Sequence, residues 1–416
     1  MKINSPAWSC RRRERREKEG ELVKITAVKT FLVDGVFRPW IFVKIETSEP
    51  GLVGWGDCTD WGADGPIVRT VEHYAERLIG RDPMQVEAIW WDLAAVSVRH
   101  TGGLAWKAMS GIDSALWDIR GKALGAPVWQ LLGGKLRDRL RLYWTHCGSM
   151  RSRGHAAELG VDPVETLDDL RALCDEVHQR GFTAIKTNLM DLQGLPEGGL
   201  PNWQHSTAGD CPPFVARKAA AIIATLREGL GPDVGIALDV AFAFKLGGAI
   251  KLARALEPYD MMWLETETLD PQALRTVRDA TVTPICTGES LFGTHQYRPY
   301  LDLHAMDVAM PDLAWNGITM GKKLADLAHA YDVLFAPHNC HSPINTLVSA
   351  HVSATVPNFY VQELDVDDAP WRDDIMTHPL DIIDGHLLIN ERPGLGADLI
   401  EEEMAKHPVR DHYPYR

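Results

Sequence analysis

The sequence predicts an α/β protein: a modified (β/α) barrel of the TIM type that carries a smaller α+β domain. Residues 23 to 137 read as strands followed by helices. Between residues 138 and 380, short apolar strands alternate with amphipathic helices, and six of those strands end on an ionisable side chain at near-constant spacing. The chain of 416 residues is long for one ordinary domain, and a barrel of about 250 residues leaves room for a second one.

The elements justify this in order. Residues 1–22 hold the run Arg11-Arg12-Arg13-Glu14-Arg15-Arg16, with no apolar stretch after it, which suits a disordered tail and not a signal peptide. The fold is expected to start near Val23. Lys24 to Val33 and Trp40 to Glu46 are β-rich runs, joined across Asp34 to Pro39. From Pro66 to Leu132 the pattern turns helical; Ala105 to Leu124 carries apolar residues at helix spacing until Gly125-Ala126-Pro127 stops it. Eight candidate strands follow, ending at Thr145, Lys186, Asp239, Glu265, Thr287, Met310, Ala336 and Gln362. A long Gly- and Pro-rich stretch, Asp191 to Pro213, separates the second strand from its helix, and loops of that length are usually functional or disordered. The short β-like pieces from Ile382 to Asn390 are expected to rejoin the N-terminal domain, so that residues 381–416 complete it.

Composition excludes several classes of function. A net charge of −14 repels phosphate backbones, so no nucleic-acid partner is expected; an anionic small molecule is still allowed where a bound cation reverses the local field. The seven cysteines are odd in number, scattered and never spaced CxxC, which suits reduced thiols in a cytoplasmic protein. No apolar run approaches the ~18 residues of a membrane span.

The chemistry is written at the strand ends. Asp239, Glu265, Glu289, Asp312, His338 and Glu363 follow one another at intervals of 23 to 26 residues, about one βα unit each, so all six should project into one mouth of the barrel. Three neighbouring strands ending in carboxylates would repel one another unless a cation sits between them. All-oxygen ligands from Asp239, Glu265 and Glu289 suit Mg²⁺ and not zinc. Asp312 and His338 lie on the next two strands. A carboxylate on one ring nitrogen raises the basicity of the other, which makes His338 a candidate general base. Lys186 is placed to neutralise a substrate carboxylate or an enolate oxygen, with a salt bridge to Glu265 or Glu363 as the alternative. Together these groups imply proton abstraction next to a carboxylate, with a cation and an ammonium stabilising the developing charge.

These residues resemble the enolase superfamily from Val23 to about Asp398. Val23 to Val28 looks like the start of its capping domain, Ser114-Ala-Leu-Trp-Asp-Ile-Arg-Gly-Lys122 like that domain's long helix, and Pro393-Gly-Leu-Gly396 like its C-terminal return. Ala309-Met-Pro-Asp312 and the Asp312–His338 pair are similar to the mandelate racemase group. Leu256 to Tyr259, Ala336-Pro-His338 and Lys186-x-Asn188 look closest to acid-sugar dehydratases of the galactonate dehydratase type.

The resemblance implies one Mg²⁺ per subunit, Glu363 among the catalytic groups, a small carboxylate substrate and a homo-oligomer. It also implies substrate contacts from the lids Asp34 to Trp40 and Asp57 to Gly65, where Arg38, Trp40, Asp60 and Trp61 stand. Asn188, His341 and the insert with Trp203 and His205 are further candidates. Two departures matter. Asn188 stands where racemases of the group have a second lysine, and Ala241 where galactonate dehydratases have the histidine that protonates the leaving hydroxyl. A syn elimination in which His338 returns its proton would fill that gap. The expected reaction is dehydration to a 2-keto-3-deoxy acid, with an epimerase or lactone cycloisomerase and a non-catalytic binding barrel as alternatives.

Overall fold

The computed structural model describes residues 23–197, 209–411 and 413. The expected tail, and the insert positions Trp203 and His205, lie outside the described residues. The N-terminal part opens with a three-stranded antiparallel meander, β1 (Ile25–Asp34), β2 (Pro39–Thr47) and β3 (Val53–Asp57). Helices Asp64–Leu78, Val86–Val96 and Gly103–Leu124 follow. The last of these lies directly on β3, and glycine is what permits it: a Cβ on Gly56 would fall 2.0 Å from the carbonyl oxygen of Gly111.

Eight parallel strands form the barrel: β4 (Arg139–Thr145), β5 (Ala184–Asn188), β6 (Gly235–Asp239), β7 (Trp263–Glu265), β8 (Ile285–Thr287), β9 (Val308–Ala309), β10 (Leu334–Phe335) and β11 (Gln362–Asp365). They pair in sequence from β4 to β10, and β11 pairs with β4. The eighth strand meets β10 just before it begins, through a bridge between Phe335 and Phe359. Strand periodicity then decides what faces inward. Ala184, Ala237 and Trp263 sit inside with Tyr143, Met310 and Val361, making a packed interior below the mouth. Two residues further along their strands come Lys186, Asp239 and Glu265, on the same inward face.

The structure corrects the sequence reading in two places. The eighth strand runs to Asp365, so Glu363 lies within it, and Asp365, two residues on, shares its face. The piece from Ile382 to Leu388 does not rejoin the N-terminal domain. β12 (Ile382–Ile383) and β13 (His386–Leu388) form a hairpin that pairs antiparallel with Arg139–Arg141 of β4. β4 meets β5 only at Trp144, so the first half of β4 has an open edge that the hairpin satisfies. The return to the capping domain comes afterwards, where Leu395 N donates to Asp118 Oδ1 (2.8 Å) and Asp34 N donates to the His407 carbonyl (2.9 Å).

The two domains are fastened through helix Leu313–Ala330 of the barrel. Ser110 Oγ donates to the Leu313 carbonyl (2.8 Å), Trp117 Nε1 to Thr319 Oγ1 (2.8 Å), and Thr319 N to Asp113 Oδ2 (2.8 Å). A third joint is His351, whose Nδ1 accepts from Trp129 N (3.1 Å) while Nε2 donates to the Leu395 carbonyl (3.1 Å). Burial pushes its pKa down to about 4. The unfolded chain therefore takes up a proton near pH 6.5 that the folded protein refuses, so His351 costs stability as pH falls from about 6.5 to 4. The expected result is a loss on the order of 2–3 kcal/mol across that window. Thermal unfolding at stepped pH should show it, and His351→Gln should flatten the dependence.

No helix among the described residues is long and apolar enough to cross a membrane, and the six described cysteines are unpaired.

Candidate active site

The carboxylates of Asp239, Glu265 and Glu289 lie at the ends of β6, β7 and β8 or just beyond. Asp239 and Glu265 stand directly opposite each other in the ladder. Asp239 is fixed from two sides, by Ala241 N to Oδ1 (2.8 Å) and Asn188 Nδ2 to Oδ2 (3.0 Å). Burial raises the pKa of Glu265 well above the carboxylate range; Lys186 opposes this, and the charges of Asp239 and Glu289 add to it. Burial raises Glu289 as well. The raised Glu265 and Glu289 stand beside Asp239, a bound divalent cation would relieve their mutual repulsion, and the donors are all oxygen, so these residues fit Mg²⁺.

Lys186 is 2% exposed and lies between two carboxylates, 3.0 Å from Glu265 Oε2 and 2.8 Å from Glu363 Oε1. Burial would discharge the ammonium, but these acids outweigh it and raise its pKa. Burial likewise opposes ionisation of Glu363, yet Lys186 and His338 hold it below the usual range. Glu363 Oε2 accepts from Asn339 N (2.7 Å). Of the two readings for Lys186, the salt bridge is formed, to both candidate acids at once. The ammonium thus stands beside the second metal-ligand candidate, Glu265.

His338 Nδ1 is 2.7 Å from Asp312 Oδ2, and its Nε2 is 3.2 Å from Glu289 Oε2. Burial opposes the imidazolium, and the carboxylates of Glu363, Glu289 and Asp312 lift its pKa. His341 takes the same Asp312 oxygen at 2.6 Å through Nε2, with its side chain fully buried. Burial would raise Asp312, but His341 and His338 bring it down to about 2.

The lids meet the barrel loops. Arg38 reaches Asp365 Oδ2 and Cys340 Sγ, both at 3.4 Å, and its guanidinium lies 3.9 Å from the Trp61 ring centre. Asp57 accepts from Ser342, Asp60 pairs with Lys107, and Trp315 Nε1 donates to the Thr59 carbonyl (2.8 Å). Trp40 is not brought to this cluster: it is 1% exposed, with its ring packed against Phe42.

Sequence reasoning missed four groups. Cys340 Sγ lies 3.3 Å from His338 Nε2. Buried Glu267 accepts from Gly288 N (2.6 Å) and Thr287 Oγ1 (2.9 Å), and burial pushes its carboxyl up to about 8. His146 and Asp365 form a buried pair, Nδ1 to Oδ1 at 2.7 Å. For Glu267 and Asp365 the signal was a second acid two residues after a strand-end acid, on the same face; His146 follows the first strand directly. Nothing in the sequence singles out Cys340.

Comparison with known proteins identifies the family and relatives of the chain. The family model described as mandelate racemase / muconate lactonizing enzyme, N-terminal domain, matches residues 28–133, and the one described as enolase C-terminal domain-like matches residues 169–403. A protein of Haloferax volcanii named D-xylonate dehydratase is 33% identical over 395 residues, covering 93% of this chain and 89% of its own. A D-galactonate dehydratase family member from Streptomyces bingchenggensis is 31% identical, covering 92% of this chain and 93% of its own. A Burkholderia xenovorans protein named for L-alanine-DL-glutamate epimerase, with magnesium and fumarate bound, superposes with a TM-score of 0.90 at 35% identity, covering 94% of this chain and 98% of that one.

Proposed function

Because the chain belongs to the enolase superfamily, in its mandelate racemase/muconate lactonizing enzyme branch, we propose that it is a Mg²⁺-dependent dehydratase of a sugar acid. The observation that carries this reading is the position of Glu289. Its Oε2 lies 3.2 Å from the Nε2 of His338, so the metal-ligand acids and the base open on the same space. Relatives named for dehydration of D-xylonate and D-galactonate, over nearly the full chain, support an acid sugar as the substrate class.

Asp239, Glu265 and Glu289 would hold the cation, which when bound stabilises negative charge developing on the substrate carboxylate. Lys186 adds a fixed positive charge on the same side, close to where that charge grows. His338 accepts the proton from Cα at Nε2. Asp312 holds Nδ1–H and stabilises the imidazolium that results, and His341 holds the same Asp312 oxygen. Loss of the β-hydroxyl then gives an enol that becomes a 2-keto-3-deoxy acid. Arg38 and Trp61 close the mouth from the lid and are placed to read the distal hydroxyls. Asn188 orients Asp239; as an amide it cannot serve as a second base, which disfavours racemisation.

The test is a screen of mono- and diacid sugars, D-xylonate and D-galactonate included, with Mg²⁺ and semicarbazide detection of the keto product. Turnover should vanish with EDTA and return with Mg²⁺. Exchange of the α proton in D₂O without keto product would replace this reading by an epimerase or lactone cycloisomerase, the reading the Burkholderia xenovorans neighbour favours. If Mg²⁺ binds and no acid sugar exchanges its α proton, the barrel is a binding protein.

A further inference from the structure

The dehydratase reading needs a second proton donor unless His338 returns the proton it took. The leaving hydroxyl must be protonated, and Ala241 carries no acid. Ala241 instead turns back at φ +41, with its N–H on the first metal-ligand candidate. From the geometry where the first and eighth strands of the ring meet, we infer that His146 is the general acid, held in place by Asp365.

The pair repeats the construction of Asp312 and His338. Asp312 and His338 bridge adjacent strands. Asp365 ends β11 directly opposite Thr145 at the end of β4, and His146 is the next residue. In both pairs the carboxylate takes Nδ1 at 2.7 Å and leaves Nε2 for other work. Among the described residues Nε2 of His146 has no hydrogen-bond partner, and the side chain keeps 9% of its surface exposed in an otherwise buried setting. The residue sits at φ +51, a left-handed conformation that a histidine adopts at a cost.

Its surroundings tie it to the site. Cys147 N donates to the Lys186 carbonyl (3.0 Å), and Ser149 Oγ bonds the His146 carbonyl (3.1 Å) and Asn188 Oδ1 (2.9 Å). The other oxygen of Asp365 meets Arg38, whose second nitrogen meets Cys340, which in turn touches Nε2 of the base. A continuous polar wall thus links His146 to His338 along one side of the mouth.

The step balances without a further reagent. His338 takes the Cα proton, and the electron pair of the resulting enolate forms Cα=Cβ as the Cβ–O bond breaks. The imidazolium of His146 delivers its Nε2 proton to the departing oxygen, which leaves as water, and the ring stays bound to Asp365 through Nδ1–H. The enol product then takes the proton from His338 at Cβ and gives its hydroxyl proton back to His146, restoring both groups.

The inference rests on the dehydratase reading, and the experiment separates the two. His146→Asn keeps a donor toward Asp365 and tolerates positive φ. On the acid sugar the wild type dehydrates, dehydration should fall about 10²–10⁴-fold while α-proton exchange in D₂O stays within about tenfold of wild type. The analogue with fluorine in place of the β-hydroxyl should restore elimination in the variant, because fluoride departs without a proton. Undiminished dehydration in His146→Asn would mean that His338 moves both protons, and would overturn the inference. So would equal loss of exchange and dehydration, which marks a structural role. Should that variant fail to fold, His146→Gln is measured the same way. A wild type that dehydrates no acid sugar removes the dehydratase reading itself.

Discussion

Replacing His338 with asparagine is expected to lower dehydration and α-proton exchange together, by about 10²–10⁴-fold, the usual contribution of a positioned base. The two rates must fall in parallel, because both require the same C–H bond to break. Mg²⁺-dependent stabilisation against heat should survive, since the three candidate ligands are left in place. Asp312→Asn should reproduce much of the loss. The Asp312 oxygen holds Nδ1 of His338 and Nε2 of His341 at once, so an amide there disturbs the tautomers of both rings. Exchange within tenfold of wild type in His338→Asn would remove it as the base.

Lys186→Met is expected to be the most destructive single change to stability and to abolish turnover with it. Its ammonium is the cation between Glu265 and Glu363, both of them buried. Removing one member of a buried ionic group typically costs about 3–5 kcal/mol, mostly for the uncompensated charges left behind. The loss should be larger without metal than with saturating Mg²⁺, because a cation on Glu265 replaces part of the missing charge. Differential scanning calorimetry with and without Mg²⁺ measures that difference. Adding Glu363→Gln to Lys186→Met should recover part of the stability and none of the activity, the coupling expected of groups in contact. A Lys186→Met protein as stable as wild type would show that the carboxylates are neutral in the resting state.

Much of this site was legible in the chain because a parallel barrel turns sequence spacing into geometry. Once each strand is followed by a helix, an acid every 23 to 26 residues falls at the same height on the ring, and Asp239, Glu265 and Glu289 needed no further information. The dyad was legible for the same reason. His341 was not, since no sequence rule says which way a loop residue three positions past the base turns, and the fold turned it onto Asp312. Trp40 reads in the sequence as a stacking surface in a lid strand, and the fold buries it to 1% exposure with its ring beside Phe42, a packing that local composition does not announce. The hairpin of β12 and β13 depends on an unpaired edge in β4, which arises from the stagger between β4 and β5 and leaves no trace in local composition.

The fastening of helix Gly103–Leu124 bears on how a sugar acid gets in. Ser110, Asp113 and Trp117 lie on successive turns of that helix, and each is bonded to the barrel helix Leu313–Ala330. Three bonds over about ten ångströms of axis make a seam, and a seam cannot swing like a hinged door. Admission of substrate would then fall to the two short lids, whose holds on the barrel are polar: Arg38 on Asp365, Asp57 on Ser342 and the Thr59 carbonyl on Trp315. Rewriting a handful of loop residues would then alter what the mouth admits, while the machinery beneath kept its form.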